Sequence, residues 1–213
     1  MKPLLRAAGA GLLAVLLCSF AAAAPGWAPN TAGLIQAARR GLKTSSRPPI
    51  ANFGRIEPGV FRGAQPSGAA AYRFLRGAGV SVVVNLRYFH KDNRALCRRY
   101  GLSCVRFPLM LFPGQGAFFD WVELRKAFAF VLAQRRAGRA VFIHCWDGAD
   151  RTGVLAAALV IRNSRLTPRA LWGRVWRMMR RYRFHGVYLT LKGRVRDWVF
   201  HPSCYPWICM RRP

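Results

Sequence analysis

The chain is 213 residues long and 53% hydrophobic, enough for one domain with a substantial buried core, and it contains no internal repeat or low-complexity tract. Beyond the N-terminal segment, no stretch approaches the ~20 uninterrupted apolar residues of a membrane span. Thirty-five Lys and Arg against seven Asp and Glu give a formal net charge of +28, which draws polyanions: phosphorylated substrates, an anionic envelope surface or nucleic acid.

Residues 1–24 have the three parts of a secretory signal peptide. "MKPLLR" is basic, "AAGAGLLAVLLCSF" is apolar, and "AAAAPG" offers small residues for cleavage near Ala22 to Ala24. The expectation is an exported protein, periplasmic or secreted, for which nucleic acid is the less natural partner. Residues 25–50, with Pro, Gly and Ser at both ends, read as a linker or loosely attached segment. Without Cys18, five cysteines remain. The most economical pairing joins Cys97 to Cys104 and Cys204 to Cys209 and leaves Cys145 alone, although spacing leaves free thiols open.

From residue 51 the pattern becomes regular. "NFGRIEPGVFRGAQPS" reads as two short strands around the turn Glu57-Pro58-Gly59. Ser67 is placed to cap the next helix, and "VSVVVNLR" is a strand buried on both faces. A helical stretch over 92–100, the strand "SCVRFPL" and a helix over 118–136 follow. "AVFIH" is another buried strand, with a helix from Thr152 to about Asn163 behind it. Thr167-Pro168 opens a helix in which Leu171, Val175 and Met178 mark the core stripe and five arginines a solvated or anion-docking face. A last helix fills 187–199, the domain runs over 51–200, and 201–213 form a tail. Strands alternating with helices give an α/β fold with a mostly parallel sheet flanked by helices.

The chemistry concentrates in "VFIHCWDGADRTG", residues 141–153. A loop between a buried strand and a helix N-terminus has backbone N–H groups without intrahelical partners, and these together with the helix dipole bind phosphate. The same field favours the thiolate of Cys145 over its thiol. Trp146, Gly148, Ala149 and Gly153 supply the loop backbone: Gly148 lets it turn and approach the ligand, and Gly153 allows tight packing where the helix begins. The Trp146 indole either walls a pocket or packs against a neighbouring loop. Arg151 can present two parallel donors to phosphate oxygens, and Thr152 can hydrogen-bond the cysteine sulfur.

"HCWDGADRTG" resembles the H-C-x5-R-[S/T]-G signature of the cysteine-dependent protein tyrosine and dual-specificity phosphatases. "GVFRGAQPS", "VVVNLR" and "RMMRRYRFHGVYLTL" are similar to segments of exported bacterial dual-specificity phosphatases. The resemblance implies a protein tyrosine phosphatase-like fold and a Cys145 thiolate that attacks phosphorus. It also implies that Arg151 and the loop amides stabilise the transferring group and that His144 orients or tunes the cysteine. It implies no cofactor and no metal, and the histidine spacing suggests none.

One departure stands out. The family's acid-bearing loop corresponds here to "MLFPGQGAFF", which has no acidic residue. Asp150, Asp147 and Asp120 are the remaining candidates for the general acid, and Asp120 also suits a helix cap. The loop is in addition similar to that of myotubularin lipid phosphatases. The substrate is then a phosphoprotein or, alternatively, a phosphoinositide, inositol phosphate or lipopolysaccharide phosphate. A catalytically inactive phosphate-binding module is the alternative of another class.

Overall fold

The computed structural model describes residues 48–111 and 119–209, apart from the Cys209 side chain. The predicted signal peptide, nearly all of the predicted linker and most of the acid-free loop lie outside these residues.

A five-stranded sheet in the order β1-β2-β5-β3-β4 forms the centre. The strands are β1 (Gly54–Glu57), β2 (Val60–Gly63), β3 (Val82–Arg87), β4 (Ser103–Leu109) and β5 (Val141–His144). The β1–β2 hairpin is antiparallel, and every other pairing is parallel. The helices are α1 (Gly68–Gly77), α2 (Arg94–Arg99), α3 (Trp121–Arg136), α4 (Asp150–Arg162), α5 (Pro168–Arg181), α6 (Leu189–Phe200) and the short α7 (Pro206–Cys209).

Strand alternation divides the core into two layers. Val83 and Phe142 point to one face and pack with Tyr72 and Leu75 of α1 and Cys97 of α2. Val82, Val84, Val141 and Ile143 point to the other face and meet α3, α4, α5 and α6. The α4 helix is the central one of that layer, with every residue from Thr152 to Ile161 buried. Burying Leu155 and Leu159 completely contributes about 1.5–3 kcal/mol each, so these two alone do much to hold the helix that carries the loop.

Several expectations shift. The helix after the loop begins at Asp150, two residues before Thr152. Ser67 and Thr167 occupy N-cap positions without making side-chain cap bonds. On α5 the buried stripe is Leu171, Val175 and Met179, while Met178 is only partly buried. Residues 201–208 pack onto the domain: Ile208 is fully buried, and Trp207 packs against Trp198 and Phe128. Cys97 and Cys104 are bonded, with Cα atoms 6.2 Å apart. The expected Cys204–Cys209 pair is not formed: Cys204 ends a 3-10 turn with its free thiol exposed to solvent.

Candidate active site

The central strand β5 delivers the site. It runs parallel to β2 and β3, so Gly63, His144 and Asn85 lie in register near one edge of the sheet. The segments leaving these strands meet outside that edge, where open α/β sheets bind ligands.

Cys145 follows directly and is 3% exposed. The loop then turns sharply at Gly148, whose φ is +69°. A Cβ there would lie 2.2 Å from the Gly63 carbonyl oxygen, so close approach and left-handed backbone both require glycine. Gly153 carries no comparable demand, because an added Cβ would meet only Phe184 at an ordinary 3.5 Å. Ala149, the N-cap of α4, is buried, and its carbonyl accepts from the Gly153 N–H.

Three outer segments clamp this loop. Arg62 of β2, fully buried, donates through Nη2 to the Gly148 carbonyl. Its guanidinium stacks 4.2 Å from the Tyr182 ring centroid. Burial lowers its pKa to about 10, against the opposing pull of Cys145, Tyr182 and Asp150. Asn52 Nδ2 donates to the Asp147 carbonyl at 3.0 Å and to the Tyr182 carbonyl at 2.9 Å. The Gln65 N–H donates to the Trp146 carbonyl at 3.0 Å.

His144 is held at both ends of its ring. Nδ1 lies 3.1 Å from the Cys145 carbonyl oxygen, and Nε2 lies 3.1 Å from Oδ1 of Asp92, whose side chain is 5% exposed. Asp92 comes from the loop after β3 and also helps to raise the pKa of Tyr72 to about 12, an effect due first to burial. Arg87 from the end of β3 covers the Trp146 ring at 4.1 Å and donates to Gln65 Oε1. Burial and then the neighbouring Arg151 push the Arg87 guanidinium below its ordinary value.

Arg151 donates through Nη1 to the Leu109 carbonyl at 3.4 Å. Its Nε and the Oγ1 of Thr152 are buried and have no hydrogen-bond partner among the described residues. Beside them is a cavity of about 330 Å³ lined by Cys145, Arg151, Asp150, Trp146, Val187 and Tyr188, among others. The Trp146 indole therefore both walls the cavity and packs against Arg87.

The acidic candidates separate cleanly. Asp120 caps α3, its Oδ1 accepting from the Glu123 N–H at 2.9 Å, and it does not line the cavity. Asp147 lines the cavity as an exposed residue. Asp150 is engaged by His185, which donates through its N–H to Oδ1 at 2.9 Å and pairs through Nδ1 with Oδ2 at 2.7 Å. The adjoining Tyr188 hydroxyl has its pKa raised, first by burial and then by Asp150.

Sequence reasoning missed Arg62, Arg87, Asp92 and His185 as site residues. Arg62 left a readable signal: it stands two residues after Val60 on the same inward face of β2, where an arginine must find an acceptor.

A buried cysteine at a helix N-terminus, an arginine six residues on and an α/β sheet around them define the class: a cysteine-dependent phosphatase of the protein tyrosine and dual-specificity type. Residues 59–165, just over half of the chain, match the family described as polymorphic toxin system, DSP-PTPase phosphatase, and the chain belongs to that family. It is thus a phosphoric monoester hydrolase. Human dual specificity phosphatase 28 is 27% identical over 135 residues, covering 63% of this chain and 70% of that protein. Among solved structures, a mouse dual specificity phosphatase complexed with zinc tungstate is similar at a TM-score of 0.55 and 21% identity, over 75% of this chain and 94% of that one. The core catalytic domain of the PP-IP phosphatase SIW14 from S. cerevisiae is similar at a TM-score of 0.55 and 17% identity, over 75% and 95%. These two share the fold.

Proposed function

We propose that this phosphatase acts on aryl phosphate monoesters of the phosphotyrosine kind through a phosphoryl-cysteine at Cys145, with Asp150 and His185 together as the proton donor. The observation that carries the reading is that two buried donors, Arg151 Nε and Thr152 Oγ1, have no partner among the described residues and lie beside a buried thiol at a helix N-terminus. Buried donors normally have acceptors; the Cys145 sulfur is not one for Thr152 Oγ1, and the oxygens of a bound phosphate would supply them.

In the first step the Cys145 sulfur bonds to phosphorus as the P–O bond to the leaving group breaks. Arg151 and the first-turn amides of α4 hold the charge on the transferring group. The Asp150–His185 pair gives its proton to the leaving oxygen. In the second step water attacks phosphorus, its proton returns to the pair, and the P–S bond breaks. Thr152 Oγ1 stabilises the departing thiolate. Asp92 and His144 are positioning residues that fix the carbonyl of Cys145. The walls at Trp146, Val187 and Tyr188 suit an aromatic ring.

Turnover of a phosphotyrosine peptide and of a short-chain phosphoinositide, with Cys145→Ser as the blank, tests the substrate class. The peptide is expected to be the better substrate, and faster turnover of the phosphoinositide contradicts this reading. Asp150→Asn and His185→Gln are expected to lose ~10²-fold on poor leaving groups and much less on good ones. Equal losses on both would remove the pair from the proton transfer.

The chain is further proposed to be exported, on the strength of the leader pattern in residues 1–24. N-terminal sequencing of protein recovered outside the cytoplasm is expected to begin near Ala24 or Pro25. A start at Met1 contradicts it.

A further inference from the structure

We propose that the cleft between β1 and α5 is a second anion site, shaped for a compact soluble oligophosphate carrying two or more phosphate groups. The cleft has a volume of about 870 Å³ and, among the described residues, shares no lining residue with the catalytic cavity. Arg55 of β1 and Arg174, Arg177, Arg180 and Arg181 of α5 line it, and Ile56, Val160 and Met178 supply apolar wall.

The arginines are held together by the core. Leu171, Val175 and Met179 anchor one stripe of α5, which turns Arg174, Arg177 and Arg181 outward on a common face at helical spacing. Arg55 reaches the same cleft from the edge strand. Like charges gathered in this way normally recruit carboxylates. Here none of the five is ion-paired among the described residues. The nearest acid in sequence to Arg55 is Glu57, and it is committed elsewhere, to Arg135 at 3.0 Å and to Asn163 at 2.7 Å.

Guanidinium forks match phosphate oxygens bidentately, so an oligophosphate satisfies several of these groups at once. The volume falls within the roughly 300–1,000 Å³ of small-molecule pockets, and a concave cleft fits a compact anion better than a flat bilayer. The location is close to the chemistry without being part of it. Tyr182 lines the cleft and carries on its ring the Arg62 guanidinium that holds Gly148.

Inorganic tripolyphosphate, titrated calorimetrically, is the probe. Arg151→Met weakens the catalytic loop as a competing anion site, and this protein is expected still to bind tripolyphosphate. Adding Arg174→Gln, Arg177→Gln and Arg181→Gln is expected to weaken that binding at least about tenfold. A control carrying Arg73→Gln, Arg76→Gln and Arg98→Gln removes the same charge from exposed positions on α1 and α2, and is expected to weaken it less than about threefold. With Arg151 intact, the cleft variant should hydrolyse a small aryl phosphate within about twofold of wild type, because none of the three arginines lines the catalytic cavity. If its melting temperature falls, Arg177→Gln alone takes its place, with a loss of at least about threefold expected.

Equal loss in the cleft and control variants would reduce the effect to overall charge and overturn the proposal, as would no loss in either. Binding to vesicles containing phosphatidylglycerol, or to a single-stranded oligonucleotide, that falls with the cleft arginines while tripolyphosphate binding does not would also overturn it, in favour of a membrane or a nucleic acid.

Discussion

Arginine faces anions in two regions of this molecule, and in opposite ways. At the phosphate loop, Arg62 is fully buried with Nη2 fixed on the Gly148 carbonyl, and Arg151 is partly buried with Nη1 on the Leu109 carbonyl. In the cleft beside α5, the arginines are exposed and carry no ion pair among the described residues. Burial makes the first pair costly and directional. Exposure leaves the second group inexpensive to hold and rich in field, with little fixed geometry until an anion arrives. Catalysis needs donors aimed at a transition state, which suits a loop whose backbone Arg62 fixes and whose substrate, in the proposed mechanism, Arg151 would meet. Attraction and retention of anions need only charge density and forks, so they belong with the second.

Substitutions sharpen this contrast, beginning with the largest effect. Arg151→Lys keeps the charge and loses the fork, and kcat/KM for an aryl phosphate is expected to fall ~10³-fold. A loss of only a few-fold would mean that charge alone suffices in the loop. Arg62→Met removes the donor to the Gly148 carbonyl without touching substrate. Thermal or urea unfolding is expected to register a cost of about 1–3 kcal/mol from the orphaned carbonyl, and the loosened loop is expected to lower kcat ~10²-fold. Unchanged kcat in that variant would separate loop support from catalysis. Smallest of all, the cleft variant with Arg174, Arg177 and Arg181 changed to Gln is expected to stay within about 0.5 kcal/mol of wild-type stability. A larger shift would show that these arginines hold the fold.

The contrast also explains what the sequence could reveal. β5, the loop and the start of α4 are contiguous, so strand, glycine turn and helix were readable together with Cys145, Arg151 and Thr152. The α/β order was equally plain, because apolar runs and helical spacing are local. The α5 stripe was misread by one position: Met178 and Met179 are adjacent, and only tertiary packing decides between them. Asp92 and Arg62 reach the loop across 52 and 86 residues, and His185 reaches Asp150 across 35, so no local spacing announces them. Asp120 was legible as a cap and Asp150 as a loop acid, but that His185 grips Asp150 was not.

The central claim is that Cys145 is the nucleophile. Wild-type protein turning over an aryl phosphate can be quenched in acid and digested, and the peptide containing Cys145 weighed. The account predicts one added phosphoryl group on Cys145, and neither the adduct nor turnover in Cys145→Ser. A phosphoryl group on another residue, or undiminished turnover by the serine variant, would contradict it.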